Sequence, residues 1–184
     1  MQAARGASLN PSEHSPSDSG SRSGAQHFRL VFAAVAIAVW TLDQLTKWLA
    51  VEHLTGRDRV DFVGDLLSLH LTRNPGAAFS VGTAFTEVFT VLAIVACAVV
   101  LYLSPRLGNR MWAVGFGFLL AGVAGNLTDR IFRAPGLFRG HVVDFLELPH
   151  WPIFNIADVS LDVAVAVIVL QGLRGIRLDG TRHE

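Results

Sequence analysis

The chain has 184 residues, 51% of them hydrophobic and only 16% charged, a composition too apolar for an ordinary soluble domain and typical of a membrane protein. Its 15 basic and 15 acidic side chains balance, which excludes the basic excess that a nucleic-acid backbone demands of its partners. The single cysteine, Cys97, sits in an apolar run, where it reads as a small hydrophobe and says nothing of redox compartment.

Residues 1–27 are rich in Ser, Gly and Pro and bury too little apolar surface to repay ordering, so a disordered tail is expected there. From Leu30 to Leu42 there is no charge, and apolar character resumes past Asp43 and Lys47 to Val51. A first span is therefore expected at about 29–51. A cleaved signal peptide is the rival reading, but the preceding tail is long and no small-residue cleavage site follows the apolar core.

Segment 52–85 is not span-like. Leu67, Leu69 and Leu71 alternate with Ser68, His70 and Thr72, the period-two pattern of a half-buried strand. Asn74-Pro75-Gly76 then marks a turn. A small extracytoplasmic sheet is expected between the first and second spans.

Between Arg73 and Arg106 the only charge is Glu87, so 86–103 is a second span. The uncharged run 111–128 gives a third and 153–173 a fourth. The fold class is an all-α membrane protein: a four-transmembrane-helix bundle with a small β-sheet at one end. Residues 174–184 are left as a C-terminal tail. Eight of the fifteen basic residues lie in 1–29, 104–110 and 174–184, on one side if four spans exist. Counted close to the spans, these flanks put both termini in the cytoplasm.

With that topology, the polar residues of the spans gather at the outer end. Asp43 and Lys47 come late in the first helix, Glu87 early in the second, Asn126, Asp129 and Arg130 late in the third, and Asn155, Asp158 and Asp162 early in the fourth. Ionisable groups at membrane depth cost about 2.5 to 3.5 kcal/mol each on insertion scales, so such a cluster is a functional-site hypothesis. Each member also has a structural reading. Glu87 can snorkel to the interface, Asp43 and Lys47 can form an i,i+4 ion pair, and Arg130 can neutralise Asp129 or anchor at the interface. Asp162, one turn below Asp158 on the same face, reads as a satisfied buried polar group. Asp144, in a stretch that clings to the membrane surface, reads as a solvated loop acid.

Other chemistries lack their signatures. There is no G-x-S-x-G elbow, no H-E-x-x-H, and His141 and His150 do not have the spacing of a helical metal pair. A cation transporter predicts polar residues along both leaflets, whereas the inner halves of the spans are nearly charge-free. A docking protein using the sheet edge leaves the carboxylates unexplained.

Five stretches carry a family resemblance: "LDQLTK" (42–47), "TRNPGAAFS" (72–80), "GNLTDR" (125–130), "HVVDFL" (141–146) and "FNIADVSL" (154–161). In this order they resemble the motif blocks of the bacterial lipoprotein signal peptidases, or signal peptidase II. The resemblance covers about residues 30–173 and makes 28–173 a membrane peptidase domain. It implies an aspartic endopeptidase of the bacterial inner membrane, acting near the outer leaflet as a monomer without metal or cofactor. Its substrates would be prolipoproteins cut just before a cysteine that carries a diacylglyceryl group. Block by block, Asp144 and Asp158 take the catalytic roles. Asp43, Lys47, Asn74, Gly76, Asn126, Asp129, Arg130 and Asn155 become supporting or substrate-binding residues. The N-terminal extension is the departure from the family pattern.

The chemistry implied is that of two acids sharing one proton. Close carboxylates in a poorly hydrated site do not both ionise easily, so they titrate as a pair and supply a base and an acid together. Asp144 and Asp158 belong to different blocks, with Pro149 and Pro152 between them, so no single helix face unites them and the chain must fold back. Asn126 and Asn155 are candidates to bind substrate backbone, and Arg130 to hold Asp129 or a backbone carbonyl.

Overall fold

The computed structural model describes residues 19–76 and 86–182. Four helices, α1 (Ser19–Leu54), α2 (Thr86–Leu103), α3 (Arg110–Phe132) and α4 (Ile156–Leu173), are each long and apolar enough to cross a membrane. A three-stranded antiparallel sheet of order β1-β2-β3, with β1 Val60–Val63, β2 Leu67–Asn74 and β3 Val142–Glu147, covers one end of the bundle.

The helices follow hydropathy at their cores and depart from it at their ends. α2 coincides with the expected 86–103. α1 begins at Ser19, inside the segment whose composition suggested a tail, because extending an already nucleated helix costs far less than starting one. The remainder of that expected tail, 1–18, lies outside the described residues. α3 runs on to Phe132, since Thr128, Asp129 and Arg130 continue the helix past the uncharged run. α4 starts at Ile156 because Asn155, in extended conformation, caps it by accepting from the Asp158 N–H, the role in which asparagine is favoured.

α3 is the hub of the bundle, packing against α1, α2 and α4. Its Gly115, Gly117, Gly122 and Gly125 permit that closeness. At Gly125 a Cβ would lie 2.6 Å from Asp43 Oδ2 and 3.1 Å from Ala157 Cβ, so three helices meet where only hydrogen fits.

The sheet draws on two separate parts of the chain. β1 and β2 come from the α1–α2 connection, as the leucine alternation suggested, but β3 comes from the α3–α4 connection and pairs with β2, placing Thr72 opposite Asp144. The stretch expected to cling to the membrane surface is therefore a buried strand: Val142, Val143, Asp144 and Phe145 are all shielded. Val143 and Phe145 pack with Ala50 and Leu54 of α1 and with Leu69 and Leu71 of β2. Within β2 the most buried side chain is Ser68, not a leucine. Its hydroxyl accepts from Arg59 Nε at 2.9 Å and donates to Asp61 Oδ1 at 3.1 Å, so a polar cross-strand cluster covers it.

At the opposite end, residues 174–182 do not trail away. Arg177 N donates to Thr181 O at 2.7 Å and Ile176 bridges Arg182, forming a small hairpin that turns at Gly180 (φ +86°). Gly108 N donates to Leu178 O at 3.0 Å, and Trp112 Nε1 to Ile176 O at 3.1 Å. Leu178 packs on the core of Phe32, Val100, Leu107, Ala113 and Phe116. The hairpin thus ties the end of α4 to the α2–α3 connection.

Candidate active site

The polar residues singled out in the sequence converge where the sheet meets the bundle. Their centre is Asn155, held by its helix-capping position at the mouth of α4 and fully buried. Its Nδ2 donates to Asp144 Oδ1 at 2.6 Å and to Asn126 Oδ1 at 3.1 Å, while its backbone N–H donates to Asp158 Oδ2 at 3.1 Å. One residue therefore touches both carboxylates.

Each carboxylate oxygen of the pair has its own donor. Asp144 Oδ2 accepts from Asn74 Nδ2 at 3.0 Å, and Asp158 Oδ1 accepts from Asn126 Nδ2 at 2.9 Å. Asp144 is 2% exposed, a strand residue pressed under the site rather than a solvated loop acid. Burial foremost, with the charge of Asp158 adding to it, pushes its carboxyl from 3.8 up to about 6, against the opposing pull of Asn74, Asn155 and Lys47. Desolvation has this sign because it penalises the ionised form. A hydrogen-bonded but protonatable carboxyl beside a second acid can hold or release a proton near neutrality.

Asn74 is fixed in turn by the chain that follows it. Its Oδ1 accepts from Gly76 N at 2.8 Å, the geometry of an Asx turn. Gly76 adopts φ +111°, and a Cβ there would lie only 2.8 Å from Phe89 Cδ2. Glycine is required there twice over, by conformation and by space. The rest of that block, 77–80, lies outside the described residues.

Behind the pair sits a second cluster. Lys47, with no exposed surface, places Nζ 3.0 Å from each of Asp43 Oδ2, Asp129 Oδ2 and Asn126 Oδ1. All three ammonium donors are thereby used. Asp43 Oδ1 also accepts from Ala157 N at 2.9 Å, and Asp129 Oδ2 from Val143 N at 3.1 Å. These bonds tether the start of α4 and the start of β3 to the same ion cluster. The i,i+4 pairing expected of Asp43 and Lys47 is present, but as one edge of a buried network joining three helices.

Arg130 departs from one of its suggested uses. The guanidinium that bonds Asp129 belongs to Arg133, one helical turn further on, whose Nε donates to Asp129 Oδ1. Arg130 instead lies with its guanidinium carbon 5.6 Å from the centre of the Phe89 ring, and its buried Nη1 has no hydrogen-bond partner among the described residues. That nitrogen lies 3.8 Å from where a Cβ on Gly76 would stand, beside the turn that fixes Asn74.

One expectation fails. Asp162 is exposed, not a satisfied buried group, because its face of α4 opens onto a groove instead of α3. Glu87, in keeping with its interfacial reading, stands outside the cluster and pairs with Arg139 Nε at 2.5 Å, both largely exposed, which ties the start of α2 to the α3–β3 loop. Sequence reasoning passed over Arg133, although its spacing from Asp129 is the i,i+4 signal already applied to Asp43 and Lys47. Among the described residues no cluster of His, Cys, Asp and Glu has the arrangement of a metal site.

Comparison with known proteins finds relatives of the chain as a whole. A family model described as signal peptidase (SPase) II matches residues 35–174. A lipoprotein signal peptidase of Leifsonia xyli is 44% identical over 172 residues, covering 93% of this chain and 78% of the relative. One of Streptomyces coelicolor is 44% identical over 154 residues, covering 84% and 76%. Among solved structures, a bacterial membrane enzyme determined in meso at 1.9 Å resolution superposes with a TM-score of 0.69 at 28% identity, covering 78% of this chain and 92% of the other. A second such structure, at 2.3 Å, gives 0.68 at 27% identity, covering 83% and 93%.

Proposed function

Because this chain belongs to the signal peptidase II family, we propose that it is a membrane-embedded aspartic endopeptidase that removes the signal peptide from diacylglyceryl-modified prolipoproteins. The cut falls just before the lipid-bearing cysteine. The observation that carries the reading is the placement of Asp144 and Asp158 around Asn155, one carboxylate from a buried strand and one from a helix mouth, every oxygen held by a donor.

From that placement a mechanism follows. The two acids hold one proton between them, and burial raises the Asp144 carboxyl to about 6, where it can carry or release that proton near neutrality. The ionised member of the pair takes a proton from water; the water oxygen attacks the scissile carbonyl; the proton on the other member passes to the developing oxyanion. Collapse of the tetrahedral intermediate breaks the C–N bond and returns a proton to the leaving amine, with no covalent acyl-enzyme. Proton transfer of this kind supplies roughly 10² to 10⁴-fold, and the remainder comes from placement and charge stabilisation. Arg130 Nη1, buried and without a partner among the described residues, is suited to a backbone carbonyl of the substrate or its oxyanion. The Lys47 cluster holds the two catalytic strands of chain in register.

Four spans support a multi-pass protein, and the basic flanks support cytoplasmic termini, with the sheet and the site at the outer leaflet of a bacterial plasma membrane. There the site meets a signal-peptide helix and an acyl-bearing cysteine, both of which lie in lipid. A monomer suffices, since every residue of the site comes from one chain. The test is a mass-shift assay on a diacylglyceryl-cysteine precursor. Wild type releases the signal peptide and Asp158→Asn does not; full processing by Asp158→Asn or Asp144→Asn ends the assignment of that residue.

A further inference from the structure

Beside the catalytic pair, a cavity of about 350 Å³ is lined by Leu148, Trp151, Phe154, Asp158 and Asp162. Its walls are apolar and aromatic, and its two acids stand at i and i+4 of α4, so they share one helix face. They differ in their attachments. Both oxygens of Asp158 are engaged, by Asn126 and by the Asn155 backbone. Asp162 is exposed in the groove, and among the described residues none donates to it. It lies within the α4 span, where a lone carboxylate is costly unless something satisfies it. Nothing in the mechanism uses it.

We propose that Asp162 is a specificity-determining residue, accepting a hydrogen bond from a donor-bearing side chain of the signal peptide on the N-terminal side of the cut. The inference rests on the peptidase reading above. If the scissile bond meets Asp144 and Asp158, the signal peptide runs from there toward the other end of the bundle, along the face that carries Asp162. Asp162 lies about 6 Å further along the axis of α4 than Asp158. A substrate covers that distance in about two residues if extended and about four if helical. The second to fourth residues before the cut are therefore the ones within its reach. An apolar side chain there leaves the carboxylate unsatisfied, whereas a hydroxyl or amide pairs with it. The groove discriminates because the unpaired alternative is penalised in a poorly hydrated site.

The test uses the full chain in bilayer nanodiscs and a set of diacylglyceryl-cysteine precursors. They are identical except for Ser or Ala at the second, third or fourth residue before the cysteine. Wild type is expected to favour Ser at one of these positions by about tenfold in kcat/KM, chiefly through KM. In Asp162→Leu that ratio falls to within about twofold. Asp162→Asn, which keeps an acceptor without charge, gives an intermediate ratio and guards against a misfolded leucine variant. No Ser preference at any of the three positions, or a preference that survives in Asp162→Leu, overturns the proposal. The series is repeated in phosphatidylethanolamine-rich and phosphatidylglycerol-rich discs. A dependence on Asp162 that follows the headgroup and ignores the peptide assigns the donor to lipid and also overturns it. The parent reading is judged separately: if Asp158→Asn is inactive while wild type cleaves Ser and Ala precursors alike, only the specificity role falls. Cleavage of both precursors by Asp158→Asn removes the peptidase mechanism itself.

Discussion

Lys47 Nζ and Asp129 Oδ2, on the first and third spans, lie 3.0 Å apart with neither side chain exposed. The ammonium is shared with Asp43, so one cation serves two buried acids. Removing it strands Asp43 and leaves Asp129 with Arg133 alone, and an uncompensated buried charge typically costs about 3 to 5 kcal/mol. Lys47→Met is expected to lower the Tm of the detergent-solubilised protein sharply and to cut its membrane yield. The triple variant Asp43→Asn, Lys47→Met, Asp129→Asn is expected to recover much of that loss, because no fully buried charge remains and Arg133, which loses its partner, is partly exposed. An unchanged Tm in Lys47→Met would show that water reaches this cluster.

Asn155 has two separable duties. As a helix cap it contributes about 1 kcal/mol, and as a side-chain donor it orients Asp144. Asn155→Ser retains a capping oxygen but not the amide fork, so its thermal stability should stay near wild type while turnover falls at least tenfold. Asn155→Ala should lose both. If Asn155→Ser turns over normally, the bridge between the two acids is dispensable. Thermal unfolding and cleavage rate measured on the same preparations decide it.

For Asp144 the folded value of about 6 stands above the ordinary 3.8. The fold thus binds a proton more tightly than the unfolded chain does, and the stability contributed by Asp144 declines as pH rises through that interval. Activity has the same sign: turnover should fall on the alkaline side, as the pair loses its shared proton. Asn74 pulls the value down by bonding the ionised form. Asn74→Ala should therefore move the alkaline descent of kcat to higher pH, a shift that pH–rate profiles of the two proteins resolve. Movement toward lower pH would show that Asn74 does not favour the ionised form of Asp144.

Gly125→Ala introduces a methyl group where Asp43 Oδ2 is 2.6 Å away. Overpacking of this kind costs about 1 to 3 kcal/mol. Here it also pushes against the carboxylate that holds the Ala157 N–H, so both Tm and activity should drop. Gly136→Ala, where a Cβ meets nothing within 4 Å, is the matched control and should leave both within error.

What could be read in the sequence followed from properties that repeat along the chain. Apolar runs of bilayer length, the first and fourth interrupted by charges, marked the four spans, and an alternation of leucines marked β2. Asp43 and Lys47 announced their pairing by spacing alone. The buried network they belong to stayed hidden because its other members, Asn126, Asp129, Val143 and Ala157, come from α3, β3 and α4, and no local pattern reports contacts over such separations. β3 escaped notice for a related reason: Val142, Val143, Phe145 and Leu146 are almost continuously apolar, as in a strand covered on both faces, and lack the alternation by which β2 was found. Asp162 misled because its i,i+4 relation to Asp158 gave the shared face correctly but not whether α3 or open space lay against it.

The hairpin that clasps residue 108 bears on experimental design. A reporter spliced onto residue 174 would evict Leu178 from its apolar seat and strand the indole of Trp112, so the measured fusion would describe a damaged molecule. Topology probes belong after residue 182, where they lengthen the chain without prising apart its joint.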